Sequence, residues 1–441
     1  MTNKTVEKHV PGFLEAFNFW LKLGFISFGG PAGQIAIMHE FLVEKKKWIS
    51  PSRFLHALNY CMVLPGPEAQ QLATYIGWLL HGTWGGLTAG ILFILPSIFI
   101  LLLLSIVYVT FGHLTWVTAL FYGLKPAVVA IILLALVKIG SRSLLSPVHY
   151  GMAALSFLLI FFFNVPFPYI ILGAVVIGIM MPLVMSARFR TRDSATEVID
   201  TDEHQYVINR YSHHESGRFN MKYTIAIIVV AVLLWFLPLG ALRIASDDFD
   251  FWLNLSGFFT KAAFITFGGA YAVLPYVAQV SVEKFNWLSQ YEMIDGLALG
   301  ETTPGPLIMV LAFVGFMAGY NHFGSLAAAT TGLLLTTFYT FLPCFLFILA
   351  GAPLVERTKE NKDLKAILSF ITAAVVGVIL NLTIYFGRAV VLPDSRSPDW
   401  FAIVWLIVSA IALYRFKVNM IVWIGVSALA GFLYLMFTGS A

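Results

Sequence analysis

Charge is what this chain has least of. Asp, Glu, Lys and Arg make up 11% of its 441 residues, where soluble domains carry roughly 25%. With 59% hydrophobic residues and a mean hydropathy of +0.84, the composition excludes a water-soluble globular domain and points to the bilayer. Cysteine is almost missing too. Cys61 and Cys344 both lie in apolar segments, which excludes a disulfide framework and a thiolate metal centre. No P-loop, zinc motif, nucleophile elbow or dinucleotide fingerprint occurs, so the chain is not expected to be an enzyme or to hold a cofactor. Any energy for transport would come from an ion or anion gradient. The start, MTNKTVEKHVPG, lacks a short apolar core with a small-residue cleavage site, and no removed signal peptide is expected. A net charge of +4 fits basic cytoplasmic loops and does not suggest a nucleic-acid partner.

Apolar runs long enough for a bilayer core of about 30 Å recur, among them Leu87 to Val109, Tyr169 to Met185 and Thr224 to Leu239. Two motifs interrupt this pattern, and each occurs twice. KLGFISFGGP at 22–31 aligns with KAAFITFGGA at 261–270. Without a gap, the same register brings Glu44-Lys45 onto Glu283-Lys284, Trp48 onto Trp287, and Pro65-Gly66-Pro67 onto Pro304-Gly305-Pro306. Unrelated apolar helices share scattered Leu, Ile and Val, not aligned Lys, Trp and PGP, so the chain carries an internal duplication. The expected organisation is an N-terminal repeat over 1–187, a polar cytoplasmic linker over 188–222, and a C-terminal repeat over 223–441.

The basic linker sets the orientation by the positive-inside rule. Counting spans back from it, Lys138 and Arg142 lie inside, while the neutral stretches 111–115 and 163–168 lie outside. The basic loop around Lys45 stays inside only if 12–44 and 51–81 each dip in and return. One additional span at 222–239 then inverts the second half, with Arg357, Lys359, Lys362 and Lys365 inside. The expected fold is an all-α polytopic membrane protein of two inverted-topology repeats. Each repeat holds two re-entrant or broken helical hairpins, with FGG and PGP tips, plus spanning helices. Inverted repeats with broken helices meeting near the midplane are a common ground plan of secondary transporters.

Each tip begins a new half-helix, whose first N–H groups are unpaired and carry about half a positive charge. Such an end suits an anion; the plainer alternative is glycine that only permits close helix packing. The candidate substrate-binding residues are Lys22, Ser27, Gly29, Gly30, Gln34, Gly66, Gln70 and Gln71 in the first half. Lys261, Thr266, Gly268, Gly269 and Gly305 are the candidates in the second. Lysines within a membrane mark a substrate path or snorkel to the interface; hydroxyls and amides would bond an oxyanion or a neighbouring backbone. Glu68 follows the first PGP and Glu301 precedes the second; either could couple proton binding to anion movement, or serve as a helix cap. His204, His213 and His214 in the linker could bind a metal but lack helical spacing, and no metal site is assigned. Trp48, Trp287, His56 and Asp295 read as interfacial, and Ser50 and Ser289 as helix N-caps.

FGGPAGQIAIM at 28–38, EKKKWIS at 44–50 and LPGPEAQQLATYIGW at 64–78 resemble the chromate ion transporter (CHR) family in its long two-domain form. FGGAYAVLPYV at 267–277 and TPGPL at 303–307 are similar to that family's C-terminal domain. The resemblance implies a multi-pass protein of a bacterial or archaeal inner (plasma) membrane that exports chromate and confers chromate resistance, with sulfate as competitor. The residues themselves reach only a carrier for a tetrahedral anion. An uptake carrier for sulfate or another oxyanion, an anion channel on the same scaffold, and a membrane enzyme using Glu68, His56 and Glu301 stay open. A homodimer is compatible with this organisation.

Overall fold

The computed structural model describes residues 10–28, 30–184, 203–209, 220–267, 269–355, 362–393 and 397–438, the side chains of 182–184, 204, 353–355 and 362–366 excepted. Gly29, Gly268, His213, His214, Arg357 and Lys359, and the side chains of His204, Lys362 and Lys365, therefore lie outside the described residues. The described residues are almost entirely helical, with one isolated bridge between Ile49 and Ile208. Among the described residues, six helices are long and apolar enough to cross a membrane. The chain is a multi-pass all-α membrane protein.

The first half opens with α1 (Phe13–Ile26), α2 (Gly30–His39), a π-helical turn (Glu40–Lys45) and α3 (Pro51–Val63). Then comes α4 (Glu68–Phe111), which breaks at His81 (φ −138°) and Gly82 (φ 62°, ψ −152°). At that break the chain reverses. A Cβ on Gly77 would fall 2.5 Å from the Cβ of Ala89 and 2.5 Å from the Gly85 carbonyl oxygen. A straight helix would hold residues 77 and 89 about 18 Å apart. Small residues let these antiparallel arms touch backbone to backbone, as interfaces between membrane helices commonly do. The half ends with α5 (Thr115–Ser143), α6 (Pro147–Phe163) and α7 (Phe167–Val184).

After α8 (Met221–Ala245), the second half runs α9 (Phe249–Ile265), α10 (Ala270–Gln279), a π turn (Val280–Lys284) and α11 (Gln290–Thr302). A 3-10 turn (Leu307–Met309) leads to α12 (Val310–Phe323), then α13 (Leu326–Val355), α14 (Lys362–Val391), α15 (Trp400–Tyr414) and α16 (Met420–Thr438). The register that takes Pro51 to Gln290 also takes Val63 to Thr302, so α3 and α11 are the same 13 residues long. The α12–α13 pair repeats the reversal within α4: Gly324 (φ 64°) makes the turn, and Gly315 lies against Gly332 and Thr336. Both expected caps form. The Ser50 hydroxyl accepts from the Arg53 N–H with Pro51 as first helical residue, and Ser289 and Glu292 close a full capping box.

Packing links the halves. α6 and α7 lie on α14, α15 and α16 lie on α5, and α4 lies on α13. Only Ala231 and Leu239 of α8 are buried; its apolar outer surface, including Val229, Leu233 and Leu237, is the kind that lipid covers. Ring and ionic contacts bring the start of α1 beside the end of the α2 turn: Lys46 Nζ is 2.8 Å from Glu15 Oε1, and the Phe19 ring lies 5.2 Å from that of Trp48. His81 Nε2 lies 2.9 Å from the Pro11 carbonyl, so the chain returns to its starting level twice. In the second half, His322 Nε2 is 2.7 Å from Asp248 Oδ2, and Asn321 donates to the Trp287 carbonyl at 3.0 Å.

One expectation is corrected by burial. Trp48 and Trp287 are not interfacial anchors: they are 1% and 6% exposed, because each ring fills the gap inside its own helix pair. Asp295 lies near the start of its helix, as expected, but is enclosed by protein. It is 5% exposed, held between α11, α4 and α5. One element had no sequence signal. Linker residues 203–209 dock on the loop before α3, where Ile208 N–H donates to the Trp48 carbonyl at 2.9 Å and Ser50 N–H to the Ile208 carbonyl at 2.9 Å.

Candidate functional site

The repeated FGG and PGP motifs break helices because their backbone is wrong for one. Gly66, Gly269 and Gly305 have φ of 125°, 92° and 98°, and Gly30 has 70°; L side chains rarely adopt that region. The freed backbone groups find partners across the molecule. Gly66 N–H donates to the Thr266 carbonyl at 2.7 Å, and Gly305 N–H donates to the Ser27 carbonyl at 2.7 Å. The PGP turn of each half thus bonds to the residue that precedes FGG in the other. The tips join in two crossed pairs, the first PGP with the second FGG and the second PGP with the first FGG.

Polar side chains gather there. Gln34 Nε2 donates to the Gly305 carbonyl at 2.5 Å, and Gln71 Nε2 to the Pro65 carbonyl at 2.7 Å. A Cβ on Gly269 would lie 4.0 Å from Glu68 Oε1, so the first residue of α4 reaches the second half's FGG tip. Ser27, Gln34, Gln70 and Gln71 are each at most 1% exposed. The Ser27 hydroxyl and the Oε1 atoms of the three glutamines have no hydrogen-bond partner. Buried polar atoms are normally paired; of these four only the Ser27 hydroxyl can donate to an anion, and the three amide oxygens are acceptors.

The other candidates lie differently. Thr266 Oγ1 is already used, donating to the Ala262 carbonyl at 2.6 Å, and Gln70 Nε2 donates to Thr74 Oγ1 at 3.1 Å. Glu301 accepts from the Tyr271 hydroxyl at 2.6 Å, on the second half's own side of the tips. Lys22 and Lys261 are exposed and are not brought into the buried cluster; the Lys22 ammonium sits 5.8 Å from the centroid of the Phe41 ring. Among the described residues, no group of three or more His, Cys, Asp or Glu could hold a metal ion.

Sequence reading missed two contacts on the tips. Ser97 Oγ donates to the Pro304 carbonyl, and a Cβ on Gly66 would fall 2.7 Å from Cys344 Sγ. Their signal was present as a second pair of triplets, Leu95-Pro96-Ser97 and Leu342-Pro343-Cys344. Each puts a helix-kinking proline beside a small polar residue, and each supports the opposite half's PGP turn.

A sequence model of chromate transporters matches the chain twice, over residues 14–179 and 253–432. The chain belongs to the chromate transporter family. A chromate transport protein of Pseudomonas aeruginosa is 30% identical over 441 residues, covering 98% of this chain and 95% of the relative. One of Cupriavidus metallidurans is 26% identical over 419 residues, covering 90% and 87%. An uncharacterized transporter of Methanocaldococcus jannaschii is 28% identical over 435 residues, covering 98% and 97%. No solved structure matches this member of the chromate transporter family.

Proposed function

We propose that this chain is a secondary active transporter of chromate, a tetrahedral oxyanion, which it exports across the inner membrane to confer chromate resistance, with sulfate as competitor. The observation that carries this reading is the crossed pairing of helix-breaking tips through the reciprocal bonds Gly66 to Thr266 and Gly305 to Ser27. A fully oxidised oxyanion only accepts hydrogen bonds, so it needs donors. Ser27 has a free hydroxyl, the Gln34, Gln70 and Gln71 amides each keep a second N–H beside the one already donated, and the helix ends behind Gly30, Gly66, Gly269 and Gly305 offer backbone N–H groups and positive dipole ends. Gly29 and Gly268 share the FGG motifs and are assigned with them. Lys22 and Lys261, one to two turns before the tips, would draw the anion along the hairpin faces without contacting it at the centre.

Two inverted repeats of re-entrant hairpins fit the same facts. The one family model fits two stretches that begin at 14 and 253. α2, with 10 residues, and α3, with 13, reach only about 15 and 20 Å, short of a bilayer core of about 30 Å. From His81, beside Pro11, the second arm of α4 runs to Tyr108, which bonds Asp295 near the start of α11. This course supports hairpins that enter from opposite ends. Glu68 beside the Gly269 tip is the candidate for proton coupling, with Glu301 as its counterpart in the second half. A carboxylate there would repel a dianion until protonated, which would tie the two movements together.

Chromate and sulfate flux into proteoliposomes, with imposed pH or counter-anion gradients, tests the proposal. Saturable chromate flux that follows the gradient and is inhibited by sulfate supports it. Unsaturable, gradient-independent flux would make the protein a channel, and gradient-driven inward sulfate flux an uptake carrier. A chemically altered product without flux would make it an enzyme.

A further inference from the structure

The two pairs of short helices behind the tips are not equally enclosed. On the Lys284 side, α10 is buried from Ala272 to Ala278 and α11 from Met293 to Glu301. On the Lys46 side, only Gln34 and Met38 of α2 and Phe54, Ala57 and Cys61 of α3 are buried, and Leu55, Asn59 and Met62 are exposed. α11 packs on α5, α12, α14 and α16, whereas α3 packs mainly on α4.

Polar ties hold α11 in place. The Tyr108 hydroxyl of α4 donates to Asp295 Oδ2 at 3.0 Å, and Lys125 Nζ of α5 stands 3.9 Å from Asp295 Oδ1. Lys125 also lies 4.7 Å from the centroid of the Tyr291 ring. Gln290 and Tyr291 donate to the carbonyls of Tyr385 and Ala389 on α14. Glu292, the neighbouring acid, is occupied in the Ser289 capping box. A cavity of about 580 Å³ opens beside these ties, with Gln279, Gln290, Tyr291, Tyr385 and Arg388 in its wall. The matching positions of the other half carry different groups. Asp295 corresponds to His56, and the α14 run Thr372-Ala373-Ala374-Val375-Val376 aligns Thr372 with Lys125; the Thr372 hydroxyl donates to Leu368 within its own helix.

We infer that Asp295, Lys125 and Tyr108 form a latch that keeps α11 against α4 and α5, shutting the Lys284 side, and that the transport cycle opens this side by parting them. Permanent packing does not call for such a group, because a buried ion pair can often be replaced by apolar residues without loss, and charge within a membrane is costly. Asp295 Oδ1 receives no hydrogen bond, so the pair is incompletely satisfied and water entering from the cavity could take over its contacts. The inference rests on the transport reading for its purpose but not for its test.

The test uses Leu299→Cys, one helical turn beyond Asp295 on α11 and 8% exposed. The two native cysteines are both 0% exposed, which keeps the background low. A membrane-impermeant maleimide is applied from the side on which Lys284→Cys is labelled. Adding Asp295→Asn, or the milder Tyr108→Phe if the first variant does not fold, should raise the Leu299→Cys labelling rate on the order of ten-fold, the effect of losing one hydrogen bond to a charged group. Labelling at Asn59→Cys, on the opposite approach, should fall. Unchanged labelling in folded variants, or equally fast labelling of Leu299→Cys with the latch intact, overturns the inference. Because no anion is needed, a labelling response without chromate flux would leave the latch standing and remove the proposed substrate.

Discussion

α3 and α11 are the same element written twice. Both have 13 residues, begin after a capping serine and end at a PGP turn, yet α11 is enclosed along most of its length while α3 is buried on one stripe. Local sequence explains the shared helix and its shared ends. The difference comes from what stands around each. α11 is pressed by α5, α12, α14 and α16 and tied through Asp295; the loop before α3 is instead held by linker residues 203–209. Repeats that share a fold but not a packing state are what an alternating carrier needs, since exchanging the two environments would exchange the open side.

Breaking the shared part should have the largest effect. Gly66→Ala or Gly305→Ala places a Cβ at φ 125° or 98°, against Cys344 and Gln71 or against Ser97. Each carries roughly 1–3 kcal/mol of backbone strain plus the clash. Flux should fall to background in both, read in proteoliposomes beside detergent elution; one tolerant glycine would mean that the crossed tips are not equivalent.

The next effect separates the two hydroxyls. Ser27→Ala removes a free donor and should weaken anion affinity about ten-fold, the scale of one hydrogen bond to a charged ligand. Thr266→Val removes a hydroxyl already bonded to Ala262 and should weaken it less. Equal losses in a competition binding assay would erase this asymmetry. Lys22→Ala and Lys261→Ala should lower flux severalfold at low salt and less at high salt, because exposed charges are screened within about 8–10 Å at physiological ionic strength. Salt-independent losses would count against a guiding role. Glu68→Gln should flatten the pH dependence of flux, whereas an unchanged profile would reduce Glu68 to a helix cap.

The smallest effects concern helix starts. Ser289→Ala should destabilise by about 1 kcal/mol and Ser50→Ala by less, since the Ser50 hydroxyl accepts at 3.4 Å and its cap lacks the reciprocal glutamate; thermal unfolding in detergent measures both. At the start of α9, the Phe251 N–H and His322 hold the Asp248 carboxyl below its usual range. Its contribution is therefore complete above the usual Asp value of about 4 and fades as pH falls through the depressed one. An Asp248→Asn variant should lose that part of the acid dependence.

Much of this was readable from residues alone. The apolar runs and scarce charge dictated a membrane protein, because only helices or closed barrels satisfy their backbone in lipid. The FGG and PGP stretches, with proline and glycine together, marked where helices must break. Ser50-Pro51 and Ser289 with Glu292 foretold two helix starts, since capping is a local bond. The lysines 22 and 261 were conspicuous in sequence, yet their side chains are exposed; Lys125, one lysine among apolar neighbours, is the one that meets a buried acid.

What the chain could not reveal by itself were pairings between residues far apart in order. Ser27 with Gly305, Thr266 with Gly66, Asp295 with Tyr108 and Lys125, and the linker with Trp48 all depend on how the halves interlock. Helix formation and helix breaking are decided within a few residues, and sequence determined them. Which tips meet, which polar atoms stay unpaired and which helices are enclosed are decided by packing between elements, and only the tertiary structure could select those partners.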